Sequence, residues 1–475
     1  MNINYKKIHF IGIGGIGMSA LARLFKSFCL EVSGSDSSNS EITKDLSSED
    51  IKISIGHNAK NISADTECIV YTLAISQDNP EFLEAKKRKI PMYTYAQMLG
   101  YVSAGMYTIA ISGTHGKTTT TAMTYYALKE SGIKPNLIVG SLIFENNKKT
   151  NFVSGKDNFF VVEACEYKKS FLNLSPTILA ITNIEADHLD FYKDLEDVKS
   201  AFMQMADLVP EEGAIICDFE DKNVKEIIEK HGIFKKDLNL SVNKNKTDTE
   251  NSEINGKCIN FRDYIKDVPE LFVIGDHNIR NASISLAVAY FLNFKFSQKI
   301  ESDFYLNYEK AKTGLQNFRG TWRRMEFRGK NQNGAIIYDD YGHHPTEIRA
   351  TLLALTQKFP DKNLKVFFQP HLYSRTKNLF DDFVKVFNEF FGENSVIKNS
   401  QESVRKNKKN KLFILPIYAA REENDPEISA EKLADEIFGA VALKDFSQAK
   451  EEIFKADSSD VVLSLGAGDV YQILE

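Results

Sequence analysis

The sequence predicts an α/β protein of several domains with largely parallel sheets. The chain has 475 residues, and at roughly 100–200 residues per domain this length suits two to four domains. Short runs of β-branched residues alternate with helical periodicity along most of the chain, which is typical of α/β domains. Two glycine-rich turns also stand between an apolar strand and a helix, as they do in nucleotide-binding α/β folds.

The first predicted block is a strand–turn–helix unit. A strand is expected at residues 7–11, followed by a glycine turn and a helix near 18–28. The apolar residues of that helix follow the i, i+3, i+4, i+7 pattern of a buried helical face. They are Leu21, Leu24, Phe25 and Phe28.

Two later blocks repeat this alternation. The second begins with a strand at 107–113 and continues into a helix that starts at Lys117, and the third begins with a strand near 335–340. A polar segment, 241–256, and a basic segment, 398–411, are expected to be solvated loops, although a basic run can also mark a polyanion partner. Domain borders are expected near 105 and 325, which gives domains of 1–105, 106–325 and 326–475.

Composition excludes several classes of protein. Lys plus Arg total 59 against 65 Asp plus Glu, a net charge of −6, whereas a general nucleic-acid-binding protein needs a basic surplus. No stretch approaches the ~20 consecutive apolar residues that span a bilayer, and the first residues lack the apolar core of a signal peptide. The five cysteines are scattered without a CxxC pair, which is typical of a reducing compartment. We therefore expect a cytoplasmic protein with no nucleic-acid partner and no membrane insertion.

The first glycine loop, residues 12–17, has the pattern GxGxxG between a strand and a helix. Its glycines allow a tight turn and a close approach of the backbone to a pyrophosphate at the positive end of the helix. Asp36 ends the next predicted strand, where a ribose-binding acid is expected. The alternative is a tight turn that needs glycine only for packing, and the pattern does not identify the nucleotide.

The second glycine loop, residues 113–119, reads GTHGKTT. It departs from the usual GxxxxGK[ST] pattern because Ile111 replaces the first glycine. The loop keeps a glycine turn with exposed amides, the Lys117 ammonium for phosphates and the Thr118 hydroxyl for Mg²⁺. It also follows an apolar strand and opens a helix, so it predicts a triphosphate site.

Acidic residues follow two apolar strands downstream of this loop. Glu163 ends the segment 158–164, and an acid beside a phosphate loop commonly holds Mg²⁺. The next strand leads into a loop with Glu185, Asp187, His188 and Asp190, where His188 is a candidate metal ligand that neighbouring carboxylates could orient. A helix cap is the alternative role of His188.

Three further clusters are candidate binding sites. Asn278 and Asn281 share one helical face, where their amides could contact an adenine edge or cap the helix. Arg323 and Arg324 lie at the expected domain border and suit a phosphate. Residues 339–347 gather two Asp and two His where a parallel strand ends, which is where α/β sheets bind ligands.

Together these motifs resemble those of the Mur ligases along essentially the whole chain, with the alanine-adding branch as the nearest match. The matching segments are GIGGIGMSALA, VSGSD, GTHGKTTTTAM, TNIEADHLDFY, GDHNIRNA, DDYGHHPTE, QPHLYSRT and GAGD. The resemblance implies an α/β fold of three domains: a Rossmann-like N-terminal domain for a UDP-sugar, a central P-loop ATPase domain with a mainly parallel sheet, and a Rossmann-like C-terminal domain for an amino acid. It also implies that the first glycine loop holds uridine diphosphate rather than NAD.

The resemblance implies ATP-dependent amide formation in peptidoglycan precursor synthesis. The carboxylate of UDP-N-acetylmuramate would attack the γ-phosphate of ATP, and the amine of L-alanine would then displace phosphate from the acyl phosphate. Both steps gather negative charge, so fixed cations and Mg²⁺ would carry much of the catalysis. The implied ligands are ATP, Mg²⁺, UDP-N-acetylmuramate and L-alanine, and the implied state is a monomer or weak homodimer.

The resemblance also implies residue roles where the motifs match. The catalytic residues would be Lys117, Glu163, His188 and Arg324, with Thr118, Glu163 and His188 as metal ligands. The ATP site would comprise Gly113, Thr114, His115, Gly116, Lys117, Thr118, Thr119, Asn278, Arg324 and Asp340. The UDP-sugar site would comprise Gly12, Gly14, Gly15, Gly17, Met18, Ser19, Asp36 and His57, and the amino-acid end His343, His371 and Arg375.

The chain departs from the family pattern at three places. Many relatives read EADESD where this chain reads EACEYK at 163–168, so Glu163 is kept while the local charge changes sign. Leu372 stands where relatives often have Arg, which leaves more of the carboxylate binding to Arg375. Some sister ligases carry a carbamylated lysine where this chain has Phe202, so no such modification is expected.

Three alternative functions compete with this interpretation. A ligase of the same fold could attach a recycled peptide, although the EACEYKKSF segment and the short GIGGIGMS turn favour the alanine-adding branch. An NAD-dependent oxidoreductase would account for the first glycine loop but not for the second. A non-catalytic nucleotide-binding protein would not need Lys117, Glu163 and His188 together.

Overall fold

The computed structural model describes residues 4–146, 148–188, 191–230, 257–297, 307–392, 409–420 and 422–475. The predicted loop 241–256, most of the basic segment 398–411 and Asp190 lie outside these residues. The described residues form two units, one from Met1–Leu271 and Ile279–Phe318 and the other from Phe272–Asn278 and Arg319–Glu475.

The N-terminal sheet of the first unit is parallel throughout. Its strands are β1 (Lys7–Ile11), β2 (Glu31–Asp36), β3 (Lys52–Ile55), β4 (Cys68–Tyr71) and β5 (Met92–Thr94). Their order is β3-β2-β1-β4-β5, and every pair is parallel. The helices are α1 (Ile16–Ser27), α2 (Glu41–Ser48), α3 (Pro80–Lys87) and α4 (Tyr95–Ser103). The chain winds to one side of β1 and then to the other, so the loop after β1 lies at the point where ligands bind in such sheets.

The central sheet of the first unit is mainly parallel. Its strands are β6 (Tyr107–Ser112), β7 (Asn136–Glu145), β8 (Lys148–Val153), β9 (Phe159–Glu163), β10 (Ile178–Ile181), β11 (Ala214–Cys217) and β12 (Lys257–Asn260). Their order is β12-β11-β10-β6-β9-β7-β8, and β8 pairs antiparallel with β7. The helices are α5 (Lys117–Glu130), α6 (Leu195–Ala206), α7 (Lys222–Lys230), α8 (Asp276–Ser297) and α9 (Tyr308–Asn317). Because β6 lies between β9 and β10, the loops that follow these three strands are neighbours.

A buried amide joins the two sheets of the first unit. Asn151 on β8 is fully buried, and its Nδ2 donates to Ile16 O at 2.5 Å and to Ser19 Oγ at 2.8 Å on α1. Its Oδ1 accepts from Arg23 Nη1 at 2.7 Å. Three groups of one helix therefore bind a single side chain of the β7–β8 hairpin.

The second unit contains a mixed sheet. Its strands are β13 (Glu326–Lys330), β14 (Ile336–Asp340), β15 (Asn363–Phe368), β16 (Lys411–Ile414), β17 (Ala440–Ala442) and β18 (Asp460–Leu465). Their order is β13-β14-β18-β15-β16-β17, and β13 pairs antiparallel with β14. The helices are α10 (Pro345–Lys358), α11 (Tyr373–Asn378), α12 (Phe380–Phe391), α13 (Ala430–Asp435) and α14 (Phe446–Phe454).

These three sheets with their helices confirm the predicted α/β class. The strands expected at 7–11, 107–113 and 335–340 are present as β1, β6 and β14, and α5 begins at Lys117. The domain borders near 105 and 325 stay predictions. In the part of the chain that the structure describes, no helix combines the length and apolarity needed to cross a membrane.

Candidate active site

The first glycine loop is held by hydrogen bonds to the strand beside it. The amides of Gly12 and Ile13 donate to Ser35 O at 2.8 and 3.0 Å. Asp36 Oδ2 accepts from the Gly14 amide at 2.8 Å, so this carboxylate fixes the turn. The predicted ribose-binding acid therefore lies against the loop and also lines a neighbouring cavity.

Packing explains three of the four predicted glycines. A Cβ on Gly12, which has φ +80°, would lie 2.4 Å from Thr72 Cγ2. On Gly14 it would lie 2.8 Å from Asp36 Oδ2, and on Gly17 2.8 Å from the Tyr95 ring. Gly15 differs, because the nearest atom to its Cβ would be 3.7 Å away. Packing within the folded loop therefore explains the glycines at positions 12, 14 and 17 but not the glycine at position 15.

Two cavities border this loop. One of about 650 Å³ is lined by Gly12, Asp36 and His57. The other, of about 350 Å³, is lined by Gly15, Gly17 and Met18 on one side and by Glu163 and Gly140 of the central sheet on the other. The second cavity brings the predicted sugar-nucleotide loop next to a predicted metal ligand. Ser19, also predicted for the UDP-sugar site, is fully buried and its hydroxyl bonds to Asn151.

The second glycine loop is fixed by residues that follow β10. Gly113 and Gly116 have φ of +128° and +84°. The Thr114 amide donates to Asn183 O at 3.0 Å, and the His115 amide donates to Asn183 Oδ1 at 3.0 Å. Thr114 Oγ1 also accepts from the Glu185 amide at 2.8 Å. Side chains and backbone of the neighbouring loop thus hold the turn in shape.

The Lys117 ammonium already has three acceptors in this structure. It donates to Gly113 O at 2.6 Å, to Thr114 O at 2.9 Å and to Glu166 Oε1 at 3.0 Å. Burial is the largest single influence and would lower the pKa of Lys117, but the negative charges of Glu166, Cys165 and Glu163 and the hydrogen bond to Glu166 together raise that pKa above its ordinary value. Lys117 therefore stays protonated at neutral pH.

Glu163 links the second glycine loop to strand β7 of the same sheet. Its Oε1 accepts from Thr118 Oγ1 at 3.1 Å, and its Oε2 accepts from the Gly140 amide at 2.8 Å. Thr118 and Thr119 at the start of α5 are both buried. The structure therefore brings together two of the three predicted metal ligands, Thr118 and Glu163.

His188 lies in a cluster that includes an acid missed in the sequence. His188 Nε2 is 3.8 Å from Glu166 Oε1 and 3.8 Å from Asp187 Oδ2, and the three candidate ligand atoms lie within 4.8 Å of one another. Glu166 is 2% exposed, and its Oε2 has no hydrogen-bond partner. The signal that could have identified Glu166 is its place three residues after Glu163.

In the second unit, the adjacent arginines have different environments. Arg323 is buried, and its guanidinium donates to Asp339 Oδ2 at 3.1 Å, to Gly468 O at 2.7 Å and to Gly466 O at 2.5 Å. The expectation that Arg323 binds phosphate is therefore wrong for this structure. The Arg324 side chain is 28% exposed and lies over the Tyr341 ring.

Asp340 supports the loops around Arg324. Its Oδ2 accepts from the Met325 amide at 2.7 Å and its Oδ1 from the Gly342 amide at 2.9 Å. Burial raises the pKa of Asp340 to about 6, against the opposing effect of Arg324. Asn278, at the start of α8, is buried and donates from Nδ2 to Ile274 O at 2.7 Å, which is a local helix-end contact.

The three residues predicted for the amino-acid end lie together. The rings of His343 and His371 are 6.0 Å apart, and Arg375 Nη1 is 3.2 Å from His371 Nδ1. His371 also stacks on Tyr418 at 5.5 Å. Leu372, between the two predicted residues His371 and Arg375, has φ +71°, a conformation that costs a non-glycine residue about 1–3 kcal/mol.

Family models match nearly the whole chain. The Mur ligase family catalytic domain matches residues 7–107, the Mur ligase middle domain matches 111–289, and the Mur ligase glutamate ligase domain matches 323–468. This chain belongs to the Mur ligase family.

Individual relatives agree with this assignment. The Mur ligase is 40% identical to a UDP-N-acetylmuramate–L-alanine ligase of Clostridium botulinum, over 99% of this chain and 97% of the relative. Its fold is like that of the UDP-N-acetylmuramate–alanine ligase MurC of Thermotoga maritima, with a TM-score of 0.70, 23% identity, and coverage of 98% and 97%. A murein peptide ligase of Psychrobacter arcticus has a TM-score of 0.63, 20% identity and the same coverage.

Proposed function

We propose that this Mur ligase joins L-alanine to the carboxylate of UDP-N-acetylmuramate at the expense of ATP, as a cytoplasmic step of peptidoglycan precursor synthesis. The name and 40% identity of the Clostridium botulinum relative support the substrates. The observation that carries the proposal is the cavity of about 350 Å³, which Gly15 and Gly17 line together with Glu163. A sugar nucleotide bound at the first glycine loop could extend its carboxylate towards Glu163, which contacts Thr118 of the second glycine loop.

The charges of the second glycine loop suit phosphoryl transfer to a carboxylate. Lys117 is protonated and held at the mouth of helix α5, where backbone amides also favour anions. A triphosphate would replace the carbonyl contacts of Lys117 with phosphate oxygens. Its fixed charge then stabilises the negative charge that develops as the γ-phosphate passes to the acid.

The residues near this loop fit Mg²⁺. The Thr118 hydroxyl and the Glu163 carboxylate are oxygen ligands of the type that Mg²⁺ prefers, and they lie 3.1 Å apart. Glu166 Oε2, which is buried and has no hydrogen-bond partner, is a further oxygen that a cation near His188 would satisfy. When bound, Mg²⁺ would neutralise phosphate charge and polarise the phosphoryl oxygens.

The C-terminal unit is proposed to bind the amino acid. The Arg375 guanidinium can form two parallel hydrogen bonds with a carboxylate, and its contact with His371 Nδ1 fixes its direction. The position of Leu372 supplies no second cation, so Arg375 carries this role. Asn278 stays a candidate adenine contact, and Arg324 with Asp340 stays the candidate pair that closes on the nucleotide.

Phosphate release tests the proposal. The full chain is mixed with ATP, Mg²⁺ and UDP-N-acetylmuramate, and phosphate is measured with and without L-alanine. We expect release that depends on both UDP-N-acetylmuramate and L-alanine. Phosphate release driven by a peptide instead of L-alanine would favour a peptide-attaching ligase. Hydride transfer from a nicotinamide would favour an oxidoreductase, and a lack of turnover would favour a non-catalytic nucleotide-binding protein.

A further inference from the structure

A fully buried carboxylate lies 3.5 Å from His57, a residue that lines the cavity of about 650 Å³ beside the N-terminal sheet. Glu81, in the first turn of α3, is 0% exposed. Its Oε2 accepts from His9 Nε2 at 3.1 Å and from Ser35 Oγ at 2.6 Å. Its Oε1 accepts from the Asn58 amide at 3.1 Å and from Asn61 Nδ2 at 2.6 Å. Four donors from three segments therefore converge on one acid: His9 of β1, Ser35 of β2, and Asn58 and Asn61 of one helical turn.

This carboxylate is charged at neutral pH. Burial alone would raise its pKa, but the hydrogen bonds from His9, Ser35, Asn61 and the Asn58 amide together lower the pKa of Glu81 to about 2. An ionised carboxylate only accepts hydrogen bonds. Each polar hydrogen of the network must therefore point towards Glu81.

The direction of these hydrogens determines the state of a histidine in the cavity wall. The Ser35 hydroxyl has a single proton, which it donates to Glu81, so its oxygen can only accept from His57 Nδ1 at 3.1 Å. His57 Nδ1 is also 3.5 Å from Glu81 Oε1, a second acceptor. The geometry therefore places a proton on His57 Nδ1, and in the Nδ1–H tautomer of imidazole the other nitrogen, Nε2, is a hydrogen-bond acceptor.

An acceptor at this position selects one kind of ligand group. His57 is 20% exposed and lines the cavity beside Gly12 and Asp36. The ionised phosphates of a nucleoside diphosphate have no hydrogen to donate to His57 Nε2. A ribose hydroxyl and the imide N–H of uracil each have one, and both belong to the nucleoside part of the ligand.

We propose that Glu81 is a positioning residue of the nucleotide pocket: through Ser35 it keeps His57 in the Nδ1–H form, so that His57 Nε2 accepts a hydrogen bond from the nucleoside. The inference rests on the proposed function, because it assumes a uridine nucleotide at the first glycine loop. It adds a buried acid and a serine that touch no ligand but determine what the pocket recognises.

The protonation state of His57 is the first test. The full chain is labelled with ¹⁵N-histidine, and a His57→Ala variant identifies the signal of His57 among the nine histidines. We expect the Nδ1–H tautomer near neutral pH in the unmodified chain, and a mixture of tautomers in Ser35→Ala. A dominant Nε2–H tautomer or an imidazolium in the unmodified chain would overturn the inference.

Calorimetry with UDP, 2′-deoxy-UDP, 3′-deoxy-UDP and N3-methyl-UDP is the second test. Loss of one neutral hydrogen bond typically weakens binding about five- to ten-fold. We expect the unmodified chain to bind one of the three analogues more weakly than UDP by about this factor. The weaker analogue identifies the donor as one of the ribose hydroxyls or the imide. Equal binding of all four ligands would contradict recognition by His57 Nε2.

Ser33→Ala is the matched control for Ser35→Ala. Ser33 lies on the same strand and its hydroxyl contacts His9 Nδ1 at 2.9 Å, which belongs to the same network but leads away from His57. We expect Ser35→Ala to weaken UDP binding about five-fold and to abolish the discrimination between analogues, with kcat and the KM for ATP unchanged. Ser33→Ala should preserve both affinity and discrimination.

UDP binding distinguishes a failure of the proposed function from a failure of the role of Glu81. If the unmodified chain binds no UDP, the proposed sugar-nucleotide function of this loop is wrong. If it binds UDP and Ser35→Ala behaves like Ser33→Ala, only the role of Glu81 is wrong. A Glu81→Gln variant that folds should reproduce the altered His57 signal of Ser35→Ala.

Discussion

The two glycine loops of the first unit share a strand–turn–helix shape and differ in charge. Residues 12–17 present amides and an acid, since Asp36 already accepts from Gly14. Residues 113–119 present a largely buried ammonium whose charge Glu166 balances. The first loop thus suits a ligand with a modest negative charge, which helix α1 and solvent can balance. The second loop suits a ligand with enough negative charge to compete with the Glu166 carboxylate for Lys117.

Removing the ammonium tests this difference most strongly. Lys117→Ala should lower kcat about 10³-fold, because the charge acts on the phosphoryl group in the transition state. Binding of UDP to the first glycine loop should change less than about two-fold. Steady-state kinetics and calorimetry measure the two effects, and Lys129→Ala on the same helix is the control. A large loss of UDP affinity would show that the loops are not independent.

Removing the balancing acid should destabilise the nucleotide-free protein. Glu166→Gln leaves the largely buried Lys117 beside an uncharged amide, and breaking such an ion pair costs about 3 kcal/mol in the free energy of unfolding. Urea denaturation measures this change. Glu389→Gln, which breaks the exposed pair with Arg349 at 2.7 Å, should cost less than about 1 kcal/mol. Equal costs would mean that Glu166 does not balance Lys117.

Arg375 lies outside both glycine loops, so its substitution gives a reference for the effects of substitutions within them. Arg375→Ala should raise the KM for L-alanine about ten-fold, the effect of losing a charge-assisted hydrogen bond, and should leave the KM for ATP and for UDP-N-acetylmuramate unchanged. Initial-rate kinetics with each substrate varied in turn give the three constants. Lys377→Ala, on the same short helix, is the matched control. Equal rises in all three constants would remove the assignment of Arg375.

The smallest effects separate packing from binding within the first loop. Gly12→Ala should lower the free energy of unfolding by about 2 kcal/mol, because φ is +80° and Thr72 blocks the new methyl group. Gly15→Ala should cost less than about 1 kcal/mol, since its methyl group meets nothing nearer than 3.7 Å. Gly15→Ala should nevertheless weaken UDP binding about ten-fold, because a ligand must approach its backbone. If Gly15→Ala bound UDP with normal affinity, Gly15 would not be required for the approach of a ligand.

Local patterns predicted much of the fold and the second glycine loop. β1 is a five-residue strand, KIHFI, that is buried along most of its length, and a glycine turn ends it. Helix α5 starts at the lysine of a motif whose spacing fixes its geometry. These features depend on neighbours in sequence, so one segment contains all the information.

Residues fixed by distant partners were harder to predict. Arg323 and Arg324 are adjacent and chemically identical in sequence, yet only Arg323 reaches the carbonyls of Gly466 and Gly468, some 140 residues further along the chain. Glu81 has no motif, because its partners His9 and Ser35 lie 72 and 46 positions earlier. Such roles exist only once the sheet has formed.

The amide of Asn151 has a consequence for engineering and for natural drift. The Asn151 side chain forms hydrogen bonds with a carbonyl, a hydroxyl and a guanidinium of α1. Neither a carboxylate nor an aliphatic group of the same size could form all three. The alignment of the first glycine loop with Glu163 therefore depends on Asn151, a residue that lies outside both glycine loops. Sequence variation in the β7–β8 hairpin could therefore lower the rate of the reaction while the residues that line each cavity stay the same.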